Sequence, residues 1–230
     1  MFWIDPVYFW YVFIPTMLIS LGVQLYLKST FSKWSRVPNS SKLTGAQTAQ
    51  QLFARTSLNA IPVERVRGSL TDHFDPGANV VRFSDPVSTQ TTVAAMAVAA
   101  HELGHVQQYQ TGSGLIKMRS ALLPALQFSP TLSYMSLMFG LIFNMTNLIW
   151  LGVFFFALMV LFSLLTLPVE LDASRRAIKL LDEAGLMKTA EDRKGARAVL
   201  NAAALTYLAA AVASVLQLLY YISIARRASN

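Results

Sequence analysis

The sequence predicts a mainly α-helical membrane protein with about four transmembrane helices and a cytoplasmic α+β region that holds a short β-hairpin. Three observations carry that prediction. Hydrophobic residues make up 54% of the chain and charged residues 13%, against roughly a quarter charged in ordinary soluble domains. Residues 7 to 27, 121 to 168 and 199 to 225 contain no charged side chain at all. The basic residues fall between these blocks: ten lie in residues 28 to 120, seven in residues 169 to 198, and two at the C-terminus.

The first block, "VYFWYVFIPTMLISLGVQLYL", matches the ~20 apolar residues that a helix needs to cross a hydrocarbon core. Pro15 can kink such a helix without forbidding it. The chain opens "MFWIDP", without the basic start and small-residue cleavage site of a signal peptide, so residues 1 to 27 read as an uncleaved anchor. Residues 121 to 168 are too long for one crossing at ~1.5 Å per helical residue and suit two, with a turn near Asn144 to Asn147. Residues 199 to 230 form a fourth span, Ala-rich and closed by Arg226 and Arg227. With the N-terminus outside, both basic regions lie in the cytoplasm, as the positive-inside rule prefers. That predicts a multi-pass protein of the cell (inner) membrane.

Within residues 28 to 120, Ala46, Ala49, Leu52 and Phe53 recur at helical spacing behind Thr44, predicting an amphipathic helix over 44 to 58. "IPVERVRGSL" and "NVVRFS" read as two strands joined by the turn-rich "TDHFDPGA". A helix follows from about Thr89 to Tyr109, with Ser88 as its cap. Residues 169 to 198 form a second cytoplasmic helical region.

The helix over 89 to 109 contains "AAHELGHVQQ". Residues four apart share a helical face, so His101 and His105 can direct their imidazoles at one metal ion. Glu102 is rotated about 100° from His101, near enough to take a proton from a water that the metal holds. The pattern uses two of only three histidines in the chain, and the absence of cysteine leaves a metal site to histidine, carboxylate and water. Zinc is the ion this donor set implies, and hydrolysis by an activated water is the chemistry.

A hydrolytic zinc site has three protein ligands and an open position. In "LPVELDASRRAIKLL", Glu170 falls just after the apolar block, where a carboxylate is costly unless a cation compensates it. Asp172 competes for the role but points about 200° away on a helix. His73, in the turn between the strands, is a third candidate. Arg175 and Arg176 could stabilise an oxyanion or anchor lipid headgroups.

The words "LTGAQTAQQL", "VERVRGSLTDHFDP", "VVRFSDP", "VAAHELGHVQQ" and "LPVELDASRRA" resemble the YugP-type membrane zinc metallopeptidases and, more distantly, HtpX-type and CAAX prenyl membrane proteases. The resemblance implies a zincin-like region with Zn²⁺ held by His101, His105 and Glu170, and Glu102 as general base: a gluzincin-like endopeptidase of membrane-associated or misfolded proteins. It also implies that substrate lies along an edge strand beside the active-site helix, for which "NVVRFS" is the candidate. One departure concerns the support of the ligands: those distant relatives carry an aspartate four residues after the ligand glutamate, and this chain carries Ser174.

The expected partners are a polypeptide substrate and membrane lipids, with a regulatory membrane protein or a second copy as further candidates. The net charge of +7 lies beside apolar blocks rather than in an aromatic-interleaved patch, which argues against nucleic acid. The competing reading is a membrane scaffold or assembly partner whose zinc site is structural or latent. Such a site would be expected to offer four protein ligands.

Overall fold

The computed structural model describes residues 5–229, so residues 1–4 of the expected anchor and residue 230 of the last segment lie outside the described residues. The elements in order are helix α1 (Pro6–Trp34), α2 (Gly45–Arg55), strands β1 (Val63–Val66), β2 (His73–Asp75) and β3 (Val80–Ser84), then α3 (Asp85–Thr89), α4 (Val93–Gln110), α5 (Gly114–Ile142), α6 (Thr146–Glu183) and α7 (Ala190–Ser229). Among the described residues, three helices are long and apolar enough to cross a membrane: α1, α6 and α7. Helix α5 occupies the remaining expected span, with Pro124 and Pro130 inside it and Ser129, Ser133 and Ser136 buried.

The chain folds as two compact units. Of the described residues, one comprises 5–23, 117–168 and 206–229. Here α5 and α6 meet along small residues: Gly140 faces Ile149, Gly152 faces Leu137, and Ser133 donates to the Gly152 carbonyl at 2.9 Å. Such seams let backbones approach where the solvent is lipid and no hydrophobic drive separates helix from surroundings. Phe128, Tyr134, Phe143 and Phe154 remain outside, each more than half exposed. Large apolar side chains on that outer face suit contact with acyl chains.

The other unit comprises residues 24–116 and 169–205. Its centre is α4, which is buried almost all round, from Val93 through Gln108. A helix with apolar residues on every side is a core helix. Around it lie α2, the sheet, and the portions of α6 and α7 that belong to this unit; Leu52, Phe83, Met96, Leu103 and Leu180 fill the core. Helix α2 begins where Thr44 predicts, with a capping box in which Thr44 and Gln47 each accept from the other's backbone N–H.

Three local expectations need correction. The strands of 63–66 and 80–84 do not form a hairpin: they pair in parallel, Val63 opposite Val81. The hairpin is β2 with β3, antiparallel, His73 opposite Arg82. Its tight turn comes from Asp75, whose Oδ1 accepts from the N–H groups of Gly77 and Ala78, and from Asn79 at φ 51°. An Asx-type turn of this kind follows the strand; it does not replace it. The order β1-β3-β2 then makes residues 80–84 the central strand, so "NVVRFS" offers no free edge. The free edges belong to β1 and β2.

The helix that carries the two histidines also starts later than expected. Ser88 lies in the short helix α3, Gln90 is extended, and Thr92 caps α4 through the Ala95 N–H. The break is held by two backbone hydrogen bonds, Asn39 N–H to the Thr91 carbonyl and Val93 N–H to the Val37 carbonyl.

Candidate metal centre

Three positions of α4 and α6 converge inside the second unit. His101 and His105 lie one turn apart on α4, their rings nearly perpendicular with centroids 4.8 Å apart. Glu170 on α6 directs Oε2 to within 3.2 Å of His101 Nε2 and 3.5 Å of His105 Nε2. One ligand atom from each of the three residues lies within 4.8 Å of the others. The Glu170 side chain is only 5% exposed.

The close approach of the two helices depends on Gly104. A Cβ there would collide with the backbone carbonyl of Ala173, three residues beyond Glu170. The glycine inside the histidine motif thus serves packing, and packing brings the carboxylate to the imidazoles.

The hydrogen bonds around the rings test whether the residues fit a cation. Gln108 is fully buried. Its Nε2 donates to the Val169 carbonyl and to Asp172 Oδ2, each at 2.8 Å, which turns Oε1 toward His105 Nδ1 at 3.0 Å. An amide oxygen only accepts, so Nδ1 of His105 carries the proton and Nε2 faces Glu170 with its lone pair. Two acceptors then face each other across a buried gap. That arrangement is stable only with a positive charge between them. A proton on Nε2 can supply that charge as well as a metal ion can: burial opposes charging of His105, yet the Glu170 hydrogen bond and the nearby Glu102 carboxylate raise its pKa above the ordinary imidazole value, and the same carboxylates would attract a cation. The donor set fits Zn²⁺, with two imidazoles and one carboxylate.

Glu102 sits on the same helix, 7% exposed, and its side chain has no hydrogen-bond partner among the described residues. Burial pushes its pKa up, the two histidines pull it down, and Asp72 and Glu170 add to the rise. Asp72 is held in turn by the Ser84 N–H at 2.7 Å and the Ser84 hydroxyl. A carboxyl beside a candidate metal, with its pKa raised by burial, suits a proton-transfer role.

The other sequence candidates fall outside the cluster. Asp172 accepts from Arg176 Nε at 2.7 Å and from Gln108, so it faces away from the imidazoles. His73 lies exposed on β2, its Nδ1 2.8 Å from the Thr71 carbonyl. Arg176 also reaches Gln107, and Arg175 is exposed. Ser174 stands 3.3 Å from His101 Nδ1, in the supporting position where the distant relatives have aspartate.

Gln108 is the residue that sequence reasoning missed. It lies seven residues beyond His101 and three beyond His105, which is one helical stripe, and that spacing was a usable signal. Its three bonds tie a histidine of α4 to the backbone and a side chain on either side of Glu170. Gln108→Leu is expected to weaken zinc binding by ~10- to 100-fold, the usual cost of losing a partner of a metal-bound histidine. Competition with a chromophoric chelator checks it, and unchanged affinity would remove Gln108 from the support of the site.

Comparison with known proteins points to the same chemical class. Residues 9–226 match the sequence profile of a family described as "Putative neutral zinc metallopeptidase". The chain is 40% identical over 216 residues to "Putative membrane protease YugP" of Bacillus subtilis (strain 168), covering 94% of this chain and 96% of that protein. No solved structure matches the chain. With almost its whole length inside the profile and the two histidines and the carboxylate gathered at one point, the chain belongs to this neutral zinc metallopeptidase family.

Proposed function

We propose that the protein is a multi-pass, gluzincin-type zinc endopeptidase that hydrolyses peptide bonds of membrane-associated or misfolded proteins at the cytoplasmic face of the inner membrane. The observation that carries the reading is the convergence of His101, His105 and Glu170 on one point, with the buried and unpartnered Glu102 on the same helix. Three protein ligands leave coordination open for water and substrate, which favours an enzyme over a closed structural site.

His101, His105 and Glu170 would hold the ion, Gln108 and Ser174 orienting the two rings. Zinc so held supplies a Lewis acid that lowers the pKa of a water and polarises a peptide carbonyl. Glu102 takes the proton from the attacking water and delivers it to the leaving amine. Burial raises its pKa, which favours holding the proton between the two transfers. Burial of the centre keeps the carboxylates in a medium where their charges act strongly. For the peptide itself, β2 is a free edge beside α4, with Phe74 packed against Tyr109 at 5.6 Å between ring centroids. An extended substrate can add there as a strand.

The purified protein is expected to carry about one zinc per chain and to cleave an unfolded polypeptide such as casein. A chelator such as 1,10-phenanthroline should abolish cleavage and stoichiometric zinc should restore it. Cleavage that persists in metal-free protein would overturn the reading.

Orientation has its own test, made simple by a chain without cysteine. Ser69 lies in the basic region and Met145 in the turn between α5 and α6, both exposed. A membrane-impermeant maleimide should label Met145→Cys on intact spheroplasts and Ser69→Cys only after lysis. The opposite pattern would place the metal site outside.

A further inference from the structure

The metal centre leaves unused a strongly basic surface of the same unit. Two adjoining grooves share Arg197 and Asn201. The larger, of about 750 Å³, is lined by Tyr26, Lys188, Lys194 and Arg197 among others. The smaller, of about 400 Å³, runs between α6 and α7, with Arg175 and Arg197 on its rim and Leu171, Ile178, Leu200 and Ala204 along its floor. Leu171, Arg175 and Ile178 recur at helical spacing on α6, as do Lys194, Arg197 and Asn201 on α7. Each helix therefore turns one face to the grooves.

Few of the charges here are used internally, although Arg175 helps to stabilise the Asp172 carboxylate. Arg193 is paired with Asp182, but Arg175, Lys188, Lys194 and Arg197 are exposed and form no ion pair among the described residues. Two acids that could have served are already engaged: Asp172 by Arg176 and Gln108, and Asp192 by Ser40 and Thr189. Fixed cations left unpaired around an apolar floor suit a ligand with an anionic head and an apolar continuation.

Sequence position narrows the ligand. Tyr26 lies at the end of the apolar stretch 7 to 27, Asn201 at the start of 199 to 225, and Arg175 seven residues beyond the apolar stretch that ends at Pro168. Three apolar stretches thus change to polar sequence at residues that line these grooves. That is where a bilayer places its phosphates, and cations at that level attract anionic lipid.

We propose that the paired grooves seat an anionic phospholipid, its phosphate among Arg175, Lys194 and Arg197 and the first methylenes of its acyl chains on Leu171, Leu200 and Ala204. Free phosphate shares the charge but has no use for the apolar floor. An acidic peptide shares the charge as well, but nothing would place it at the ends of three apolar stretches. The proposal rests on the membrane-spanning character of the helices and not on peptidase activity.

The test uses the full chain in neutral detergent, with lipid occupancy read by native mass spectrometry. Phosphatidylglycerol is expected to give a one-lipid adduct at concentrations where phosphatidylcholine gives little. K194Q/R197Q should weaken that adduct by ~10-fold or more, as expected for the loss of two headgroup cations, with zinc content and thermal midpoint unchanged. Arg67→Gln, an exposed cation on another surface, should leave it intact. R175Q provides a second variant on the facing helix with the same expected direction. Equal phosphatidylglycerol binding by K194Q/R197Q and the unaltered chain would overturn the proposal, as would equal loss in Arg67→Gln. So would displacement of the lipid by millimolar inorganic phosphate or by a glutamate-rich peptide. Loss of hydrolysis alone would bear on the proposed peptidase and leave lipid occupancy untouched, so the two failures are distinguishable.

Discussion

Glu102→Gln is expected to keep about one zinc per chain while hydrolysis falls by ~10²- to 10⁴-fold, the usual worth of a positioned general base. Glutamine has nearly the shape of glutamate, so the buried space beside His101 and His105 stays filled. The side chain is not a member of the ligand cluster, so the ion keeps all three protein ligands. What disappears is the capacity to accept a proton. Substitution also removes opposing effects, of which burial is the largest: burial, Asp72 and Glu170 disfavour the ionised carboxyl while His101 and His105 favour it. Thermal stability should therefore hold or rise slightly, and a loss of activity cannot be assigned to unfolding. Zinc by elemental analysis and turnover of a fluorogenic peptide are the two measurements. Normal turnover at full zinc occupancy would remove Glu102 from the reaction.

The convergence of this site was legible to the extent that it follows helix geometry. His101 and His105 share a face because 3.6 residues make a turn, and no tertiary information is needed to see it. Glu170 could be singled out because a carboxylate directly after a long uncharged block needs a compensating charge. Gln108 was hidden by its neighbours: in "HVQQYQ" three glutamines look like the solvated end of a helix, and only the structure shows one of them fully buried. In the sequence Asp172 is a competing ligand for the metal. Its actual route to His105 runs through the amide of Gln108, a contact that spacing within one helix could not reveal.

The sheet was less legible, for a different physical reason. β2 is three residues long and followed at once by Pro76 and Gly77, so turn signals dominate any window that contains it. Strand direction also depends on partners elsewhere. The pairing of β1 and β3 is parallel, with a connection that contains β2, and residue alternation along 63–66 and 80–84 is the same for either direction. The start of α4 was misplaced because Ser88 and Thr92 are both good caps. The backbone bonds from residues 37 and 39 that select Thr92 are tertiary.

Gly104→Ala is the substitution for which local and tertiary physics predict opposite signs. In an isolated helix alanine is favoured over glycine by about 1 kcal/mol, so local propensity alone makes the change stabilising. In this fold the added methyl would meet the Ala173 carbonyl group, with its carbon at 3.1 Å and the Ala173 Cα at 3.2 Å. Both are backbone atoms of a long helix and cannot swing aside as a flexible side chain would. The helices must separate instead, at ~1–3 kcal/mol for overpacking a close-packed contact. Glu170 lies less than one turn from Ala173, so the same shift carries its carboxylate away from His101 and His105. Zinc affinity is expected to fall by ~100-fold or more, since a misplaced ligand loses more than a weakened support. Chelator competition measures the affinity, and thermal unfolding of the metal-free protein measures the packing cost. Gly114→Ala is the control: at the first residue of α5 an added Cβ meets nothing within 4 Å, and neither quantity should fall. A Gly104→Ala protein with unaltered zinc affinity would mean that the contact between α4 and α6 does not set the position of the third ligand.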